Sequence, residues 1–367
     1  LKVVFNPVVP SEVVALNTAR FNTEEPLTPH PSPRGGEGNA GVPPLGGSAS
    51  DNLDAGRLKP VLQQGIALLG FPSDEGVRRN QGRVGAALAP RALRQALAPL
   101  AWHQTSPIYD AGDVVFHEQQ LEAGQRALGY VVAEVLHQGH CPLVLGGGHE
   151  TAWGTFQGLV EHIREGEAPA EPLAYRESGS AGTLPFRAFK LGVINLDAHF
   201  DLRPSSVAHS GTPFAQMAEW CAANKLPFHY LPIGISKPGN TAALWEGAKV
   251  LGVSCINDQE MSCSRYQEAL PRITNFIQQM DAIYLSIDLD VLPASVMPSV
   301  SAPAGLGVPL EVILEVIQRI AATGKLVVAD VVEYNPTLDT QGIGVRAAAR
   351  IIWELCYHWK LPIRGAT

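Results

Sequence analysis

The chain has 367 residues, 46% hydrophobic and 17% charged, enough apolar material for a sizeable core, which excludes a collagen, a coiled coil or a wholly disordered protein. With 27 basic against 35 acidic residues the formal charge is −8, so no net basic field is available for a nucleic acid or an anionic membrane, and a small-molecule substrate is the expected partner. No run approaches the roughly 18 apolar residues of a membrane span, Leu1 to Phe21 lacks the apolar stretch of a signal peptide, and the five cysteines form no CxxC, so a cytoplasmic protein with reduced thiols is expected.

Residues 1–61 read as a tail and flexible linker, because Pro26 to Gly56 is rich in proline and glycine and nearly devoid of large apolar side chains that could offset the entropy of ordering. Residues 62–367 read as one domain. Strand Gly65–Leu69 opens it, and a polar loop with Arg78, Arg79, Asn80 and Arg83 follows. Helices are predicted over Ala89–Ala98 and Gln120–His137, the second closed by Gly139. Strand Pro142–Leu145 runs into Gly146-Gly147-Gly148-His149-Glu150, a turn that presents a histidine ahead of helix Thr151–Ile163. The segment from about Arg164 to Arg187 is much longer than the usual connection of roughly 2–6 residues and reads as a surface insertion.

Strand Leu191–Leu196 ends in Asp197-Ala198-His199-Phe200-Asp201, three metal-competent side chains at alternate positions, which extended backbone turns to one side. Strands His229–Ile233 and Lys249–Cys255 and helix Tyr266–Met280 come next. Strand Ala282–Ile287 ends in Asp288-Leu289-Asp290, two carboxylates that repel unless a cation lies between them. Pro309 opens and Gly324 closes the helix Pro309–Ala322. Strand Leu326–Val332 then leads through Glu333 into Tyr334-Asn335-Pro336, and helix Ile343–Trp359 ends the pattern.

Such alternation calls for an α/β fold with a parallel sheet covered by helices. Each motif alone also reads as a polar turn or a solvated loop. Parallel strands, however, bring their carboxyl ends to one edge, where α/β sheets bind ligands, so His149, Asp197, His199, Asp201, Asp288 and Asp290 can meet in one cleft. Two imidazoles and four carboxylates suit two divalent ions about 3.5 Å apart that lower the pKa of a bridging water. Oxygen and imidazole donors without thiolate favour Mn2+, with Fe2+, Co2+ or Zn2+ as substitutes. Asp201 can both ligate and accept a hydrogen bond from that water, and Glu333 can pair with a cationic amidine or guanidine.

GGGHE at 146–150, NLDAHFD at 195–201, SIDLD at 286–290 and DVVEYNP at 330–336 resemble, in this order, the motifs of the ureohydrolases, the arginase and agmatinase group, over about Gly65 to Leu355. The resemblance implies a three-layer α/β/α sandwich with a mostly parallel sheet of about eight strands. It also implies two Mn2+ ions per subunit on the six residues named, hydrolysis of a guanidino or amidino C–N bond, Glu333 orienting the substrate, and a homo-oligomer, trimer or hexamer. GFPSDEGVRRNQGRVGA at 70–86, SGTPFAQ at 210–216 with GISKPGNTAAL at 234–244, and DVLPASVMPSVSAPAGLGVP at 290–309 are similar to the formimidoylglutamase branch. That branch converts N-formimino-L-glutamate to L-glutamate and formamide in histidine degradation.

Leu292-Pro293 stands where arginases and agmatinases have Asp-Pro, and Ser210-Gly211-Thr212 where agmatinases have His-Gly-Thr. His209, one position out of register, is the candidate proton shuttle. A substrate with two carboxylates needs cationic or amide donors, for which Arg79, Asn80, Arg83, Ser210, Gly211 and Thr212 are the candidates. Two alternatives stay open: a ureohydrolase that releases urea from a guanidino acid or arginine, and a non-catalytic metal-binding assembly protein.

Overall fold

Short apolar runs separated by amphipathic ones form a single sheet of eight parallel strands in the order β2-β1-β3-β8-β7-β4-β5-β6. The strands are β1 (Ile66–Phe71), β2 (Ile108–Asp113), β3 (Cys141–Gly146), β4 (Leu191–Leu196), β5 (His229–Ile235), β6 (Ile256–Asn257), β7 (Ala282–Asp288) and β8 (Leu326–Val332). This is a computed structural model that describes residues 63–104, 106–117, 119–166 and 189–362. The expected tail and linker, and residues 167–187 of the expected insertion, lie outside the described residues.

Helices cover both faces. They are α1 (Glu75–Arg79), α2 (Ala89–Leu97), α3 (Leu121–His137), α4 (Thr151–Gly166), α5 (Pro213–Ala223), α6 (Ala242–Val250), α7 (Tyr266–Gln279), α8 (Leu310–Ala321) and α9 (Ile343–His358). Alternate strand residues enter opposite cores, as the pleat requires. Ile194, Leu196, Ile283, Leu285 and Ile287 pack with α2, α7, α8 and α9, whereas Val193, Tyr230 and Tyr284 pack with α3, α4, α5 and α6. On α8 the stripe Val312, Ile313, Val316, Ile317 and Ile320 is wholly buried, each side chain contributing roughly 1.5–3 kcal/mol. The three-layer α/β/α expectation therefore holds, with a sheet parallel throughout.

Gly139 and Gly324 adopt the left-handed conformation (φ 79° and 73°) expected of helix-closing glycines. Elsewhere the pattern misled. The strand expected at Lys249–Cys255 is instead the end of α6 and a turn, with pairing confined to Ile256–Asn257. Thr241 caps α6 by accepting from the Leu244 N–H and Gly252 turns left-handed, which divides the run: Val250 is 77% exposed, while Val253 and Cys255 pack half-buried against the core. Arg78 and Arg79, expected in a loop, lie on the short helix α1. The edge strand β2 (IYDAGD) and helices α5 and α6 were not foreseen. Among the described residues no helix is long and apolar enough to cross a membrane.

The central four strands place the chemistry. Leu145, Val331, Ile287 and Leu196 stand in register across β3, β8, β7 and β4. Each chain leaves the sheet just beyond that row, carrying His149, Glu333, Asp288 with Asp290, and Asp197 onto one edge.

Candidate metal centre

Six side chains converge there in two groups. His149, Asp197, Asp201 and Asp288 form one, and Asp197, His199 and Asp290 the other, with donor atoms of each group within 4.8 Å of one another. His149 Nδ1 lies 3.3 Å from Asp197 Oδ2, 3.0 Å from Asp201 Oδ2 and 3.0 Å from Asp288 Oδ2. His199 Nδ1 lies 3.6 Å from Asp197 Oδ1 and 2.9 Å from Asp290 Oδ2. Asp197 thus offers one oxygen to each group, the disposition of a bridging carboxylate.

Local backbone explains the convergence. A Cβ on Gly147 would fall 1.7 Å from the Ser73 carbonyl oxygen, so only glycine lets the turn after β3 press against the β1 loop and swing His149 inward. Asp201 (φ 46°) and Glu333 (φ 68°) take the left-handed conformation that side chains rarely adopt, a strain typical of functional positions. Asn240 clamps the His199 loop, accepting from the Phe200 N–H at 3.0 Å and donating to the carbonyls of Ala198 at 2.9 Å and Ser236 at 2.8 Å.

A buried relay sets the His149 tautomer. Ser286 Oγ donates its single proton to Asp330 Oδ1 at 2.6 Å, so it must accept from His149 Nε2–H at 3.0 Å. In the neutral imidazole that a metal requires, Nδ1 is then left with the lone pair, facing three carboxylates. The ring is held edge-on by Phe214 at 5.2 Å, which stacks on Tyr230 at 4.6 Å. Asn195 Nδ2 donates to Asp197 Oδ2 at 2.8 Å and to Tyr230 Oη at 3.1 Å, fixing the shared carboxylate.

Without metal the cluster holds protons. Burial disfavours a charged His149, yet the carboxylates of Asp197, Asp201 and Asp288 raise its pKa well above the usual value. The Asp290 charge outweighs burial to raise His199 likewise. Burial raises Asp288 and Asp290, reinforced by neighbouring carboxylates, while Asp197 falls below the carboxylate range despite burial because two imidazoles face it. Four carboxylates beside two neutral imidazoles carry four negative charges, which two divalent cations balance. The converging lone pairs, the unpaired buried Nδ1 and the all-oxygen-and-nitrogen donor set therefore fit a pair of hard or borderline metal ions.

Glu333 sits beside this cluster, 5% exposed, with Oε1 accepting from the His149 N–H at 2.8 Å. Burial and then the Glu150 charge push its carboxyl up to about 8. Glu150 is itself buried, raised to about 7 by burial, and accepts from Ser73 Oγ at 3.0 Å and Gly76 N at 2.8 Å, tying the β1 loop to the GGGHE turn.

The mouth gathers some expected substrate contacts and diverts others. Asn80 Nδ2 donates to Ser210 Oγ at 3.0 Å, so these two meet, whereas Thr212 is buried, its Oγ1 accepting from the His209 N–H at 3.1 Å. Arg79 is committed to Glu75 at 2.9 Å, Glu122 at 2.5 Å and the Ala208 carbonyl at 2.9 Å. Arg83 binds the carbonyls of Ser301 and Val300. Burial and the Arg203 charge lower the His209 pKa, and its Nδ1 accepts from the Gly211 N–H at 3.1 Å. Its Nε2 therefore carries the proton, and full proton transfer requires breaking the Gly211 bond.

Sequence reasoning missed Ser286, Asp330, Asn195, Asn240 and Glu150. A signal existed for two of them: Asp330 is a lone charge within the apolar run LVVADVV, and Ser286 precedes Asp288 by the two residues that share a strand face.

Comparison with known proteins places these features in context. The chain matches the arginase family over residues 64–357. It is 49% identical over 294 residues to a formimidoylglutamase of Chromobacterium violaceum, covering 80% of this chain and 88% of that one. It is 46% identical over 306 residues to a formimidoylglutamase of Aeromonas salmonicida, covering 83% and 90%. Among solved structures it shares the fold of Trypanosoma cruzi formiminoglutamase with Mn2+ (TM-score 0.68, 24% identity, 82% of this chain and 95% of that one). The formimidoylglutamase of Bacillus subtilis superimposes comparably (TM-score 0.68, 23% identity, 86% and 96%).

Proposed function

The chain belongs to the arginase family, and from that premise we propose that it hydrolyses N-formimino-L-glutamate to L-glutamate and formamide with two Mn2+ ions on His149, Asp197, His199, Asp201, Asp288 and Asp290. Its substrate is supported by extensive similarity to formimidoylglutamases along nearly their whole length. The observation that carries the chemistry is the shared carboxylate of Asp197, which divides the six donors into two groups beside Glu333.

Two divalent ions at this cluster supply Lewis-acid activation of water. The chain's own residues do the rest. Glu333, with Oε1 anchored on the His149 N–H, presents Oε2 to the amidinium, and the substrate's positive charge favours the carboxylate that burial otherwise disfavours. Asp201 turns Oδ2 towards His149 and keeps Oδ1 to accept the proton of the attacking water. The water oxygen joins the formimino carbon, and the bond from that carbon to the glutamate nitrogen breaks. The two water protons, one by way of Asp201, pass to that nitrogen, which leaves as the ammonium group of glutamate while the carbon keeps its oxygen and other nitrogen as formamide.

The test is an end-point assay on manganese-loaded protein with formiminoglutamate, guanidinobutyrate and arginine offered separately. Formamide and glutamate from the first alone is the expected result. Urea from either of the others would move the substrate assignment within the family, and silence on all three would favour the non-catalytic alternative.

A further inference from the structure

The metal cluster and Glu333 account for the reacting amidine but leave the two carboxylates of the proposed substrate without a partner. Approach of such an anion to a site already crowded with carboxylates requires a cation at the mouth. Four arginines lie close to it. Arg78 and Arg79 are paired with Glu75, Arg79 also with Glu122, and Arg83 is spent on the carbonyls of Ser301 and Val300.

Arg203 differs. It follows the predicted ligand Asp201 by two residues, and its N–H donates to the Gly211 carbonyl at 3.0 Å, which joins the ligand loop to the 209–212 turn. Its side chain lies along Gly211, where an added Cβ would meet its Cδ at 3.0 Å and its Nε at 3.2 Å. The guanidinium is exposed, and its hydrogen-bonding partner is the amide oxygen of Asn80, at 3.1 Å from Nη1. Asn80 is held in turn by Ser210. Among the described residues no carboxylate forms an ion pair with Arg203, although its charge reaches His209 at the same mouth. The amide thus orients the planar head and leaves its remaining N–H groups free for the two-pronged pairing that a carboxylate accepts.

Resting on the function proposed above, we infer that Arg203 is the residue that binds a carboxylate of the substrate and so selects acidic amidines. Gly211 leaves room for its stem, and Asn80 and Ser210 act through it as positioning residues.

Steady-state kinetics of the manganese-loaded wild type, Arg203→Gln and Arg203→Lys would test this on three substrates: N-formiminoglutamate, N-formimino-4-aminobutyrate, which lacks the carboxylate next to the nitrogen, and N-formiminoalanine, which lacks the distal one. With formiminoglutamate, Arg203→Gln is expected to raise KM about 10- to 100-fold with kcat much less affected, and Arg203→Lys to recover part of the loss. The truncated substrate that no longer distinguishes wild type from Arg203→Gln identifies the carboxylate bound. Calorimetric binding of L-glutamate, expected to weaken by the same factor in Arg203→Gln, supplies a readout independent of turnover. An unchanged KM and glutamate affinity, or an equal penalty on all three substrates, would overturn the assignment while wild-type turnover of formiminoglutamate leaves the function standing. Wild-type release of urea from agmatine, which has no carboxylate, without turnover of formiminoglutamate would remove both.

Discussion

Replacing Ser286 by alanine probes how the protein prepares His149 to bind metal. The serine hydroxyl is fully buried between the imidazole, 3.0 Å away, and Asp330, 2.6 Å away. Its removal leaves His149 Nε2–H and one Asp330 oxygen without this partner inside the core, at a cost of about 1–3 kcal/mol for each buried group left unsatisfied. It also frees the imidazole to take the other tautomer, with a proton on Nδ1 where the metal lone pair is needed. Loss of such an orienting partner typically weakens metal affinity about 10- to 100-fold. The effect should be confined to the group containing His149, because His199 and Asp290 lie in the second group. Manganese titration by competition with a chelator is therefore expected to show one site weakened by that factor and one near its wild-type affinity, with the metal-free variant a few degrees less thermostable. Two sites of unchanged affinity would refute the tautomer argument, and equal weakening of both would show that the two groups do not act separately.

Asp201→Ala and Asp290→Ala are expected to lose metal occupancy by elemental analysis and to abolish turnover, and retained activity with a full metal complement would refute the ligand set. Glu333→Gln keeps the shape and the acceptor for the His149 N–H but loses the charge opposite the amidinium, so kcat/KM should fall about 10- to 100-fold with metal content intact. His149, His199, Asp288 and Asp290 all have raised pKa values in the metal-free fold. A raised folded pKa contributes stability below the unfolded value and loses it as pH rises through the folded one, so the metal-free protein should weaken from about pH 4 upwards through Asp288 and Asp290, and further above about pH 6.5 through His149 and His199. Metal must displace those protons, so the gain in Tm on manganese loading should grow from pH 6 to pH 8, and a constant or shrinking gain would contradict the ordering. His209→Ala should lower kcat less than about tenfold, because its Nδ1 is occupied by Gly211, whereas a hundredfold loss or more would establish it as the proton shuttle.

The candidate metal donors were legible because five of them follow directly on an apolar strand as acids or a histidine at alternate positions, and His149 closes the glycine turn after another strand. A parallel sheet gathers strand ends at one edge, which brings Asp197, His199, Asp201, Asp288 and Asp290 to His149, but the backbone beyond the strands is not extended as expected: residues 198–199 bend, Asp201 is left-handed and Leu289–Val291 forms a 3-10 turn. Helix ends at Gly139 and Gly324 were legible for the same reason, since a left-handed residue is a local demand.

Pairings between distant segments were not. Arg79 looked like a free cation until tertiary packing set Glu122, 43 residues away, against it, and Arg83 until residues more than two hundred positions on supplied carbonyls. Asn80 meets Arg203 across 123 residues, and Glu333 meets His149 across 184. The sequence by itself determined which side chains could ligate metal and at which sheet edge they would stand, because backbone geometry carries that information within a few residues. Which charges are already neutralised, which tautomer His149 holds and which guanidinium remains available were decided by the tertiary structure, because electrostatic and hydrogen-bonding partners are matters of distance in space.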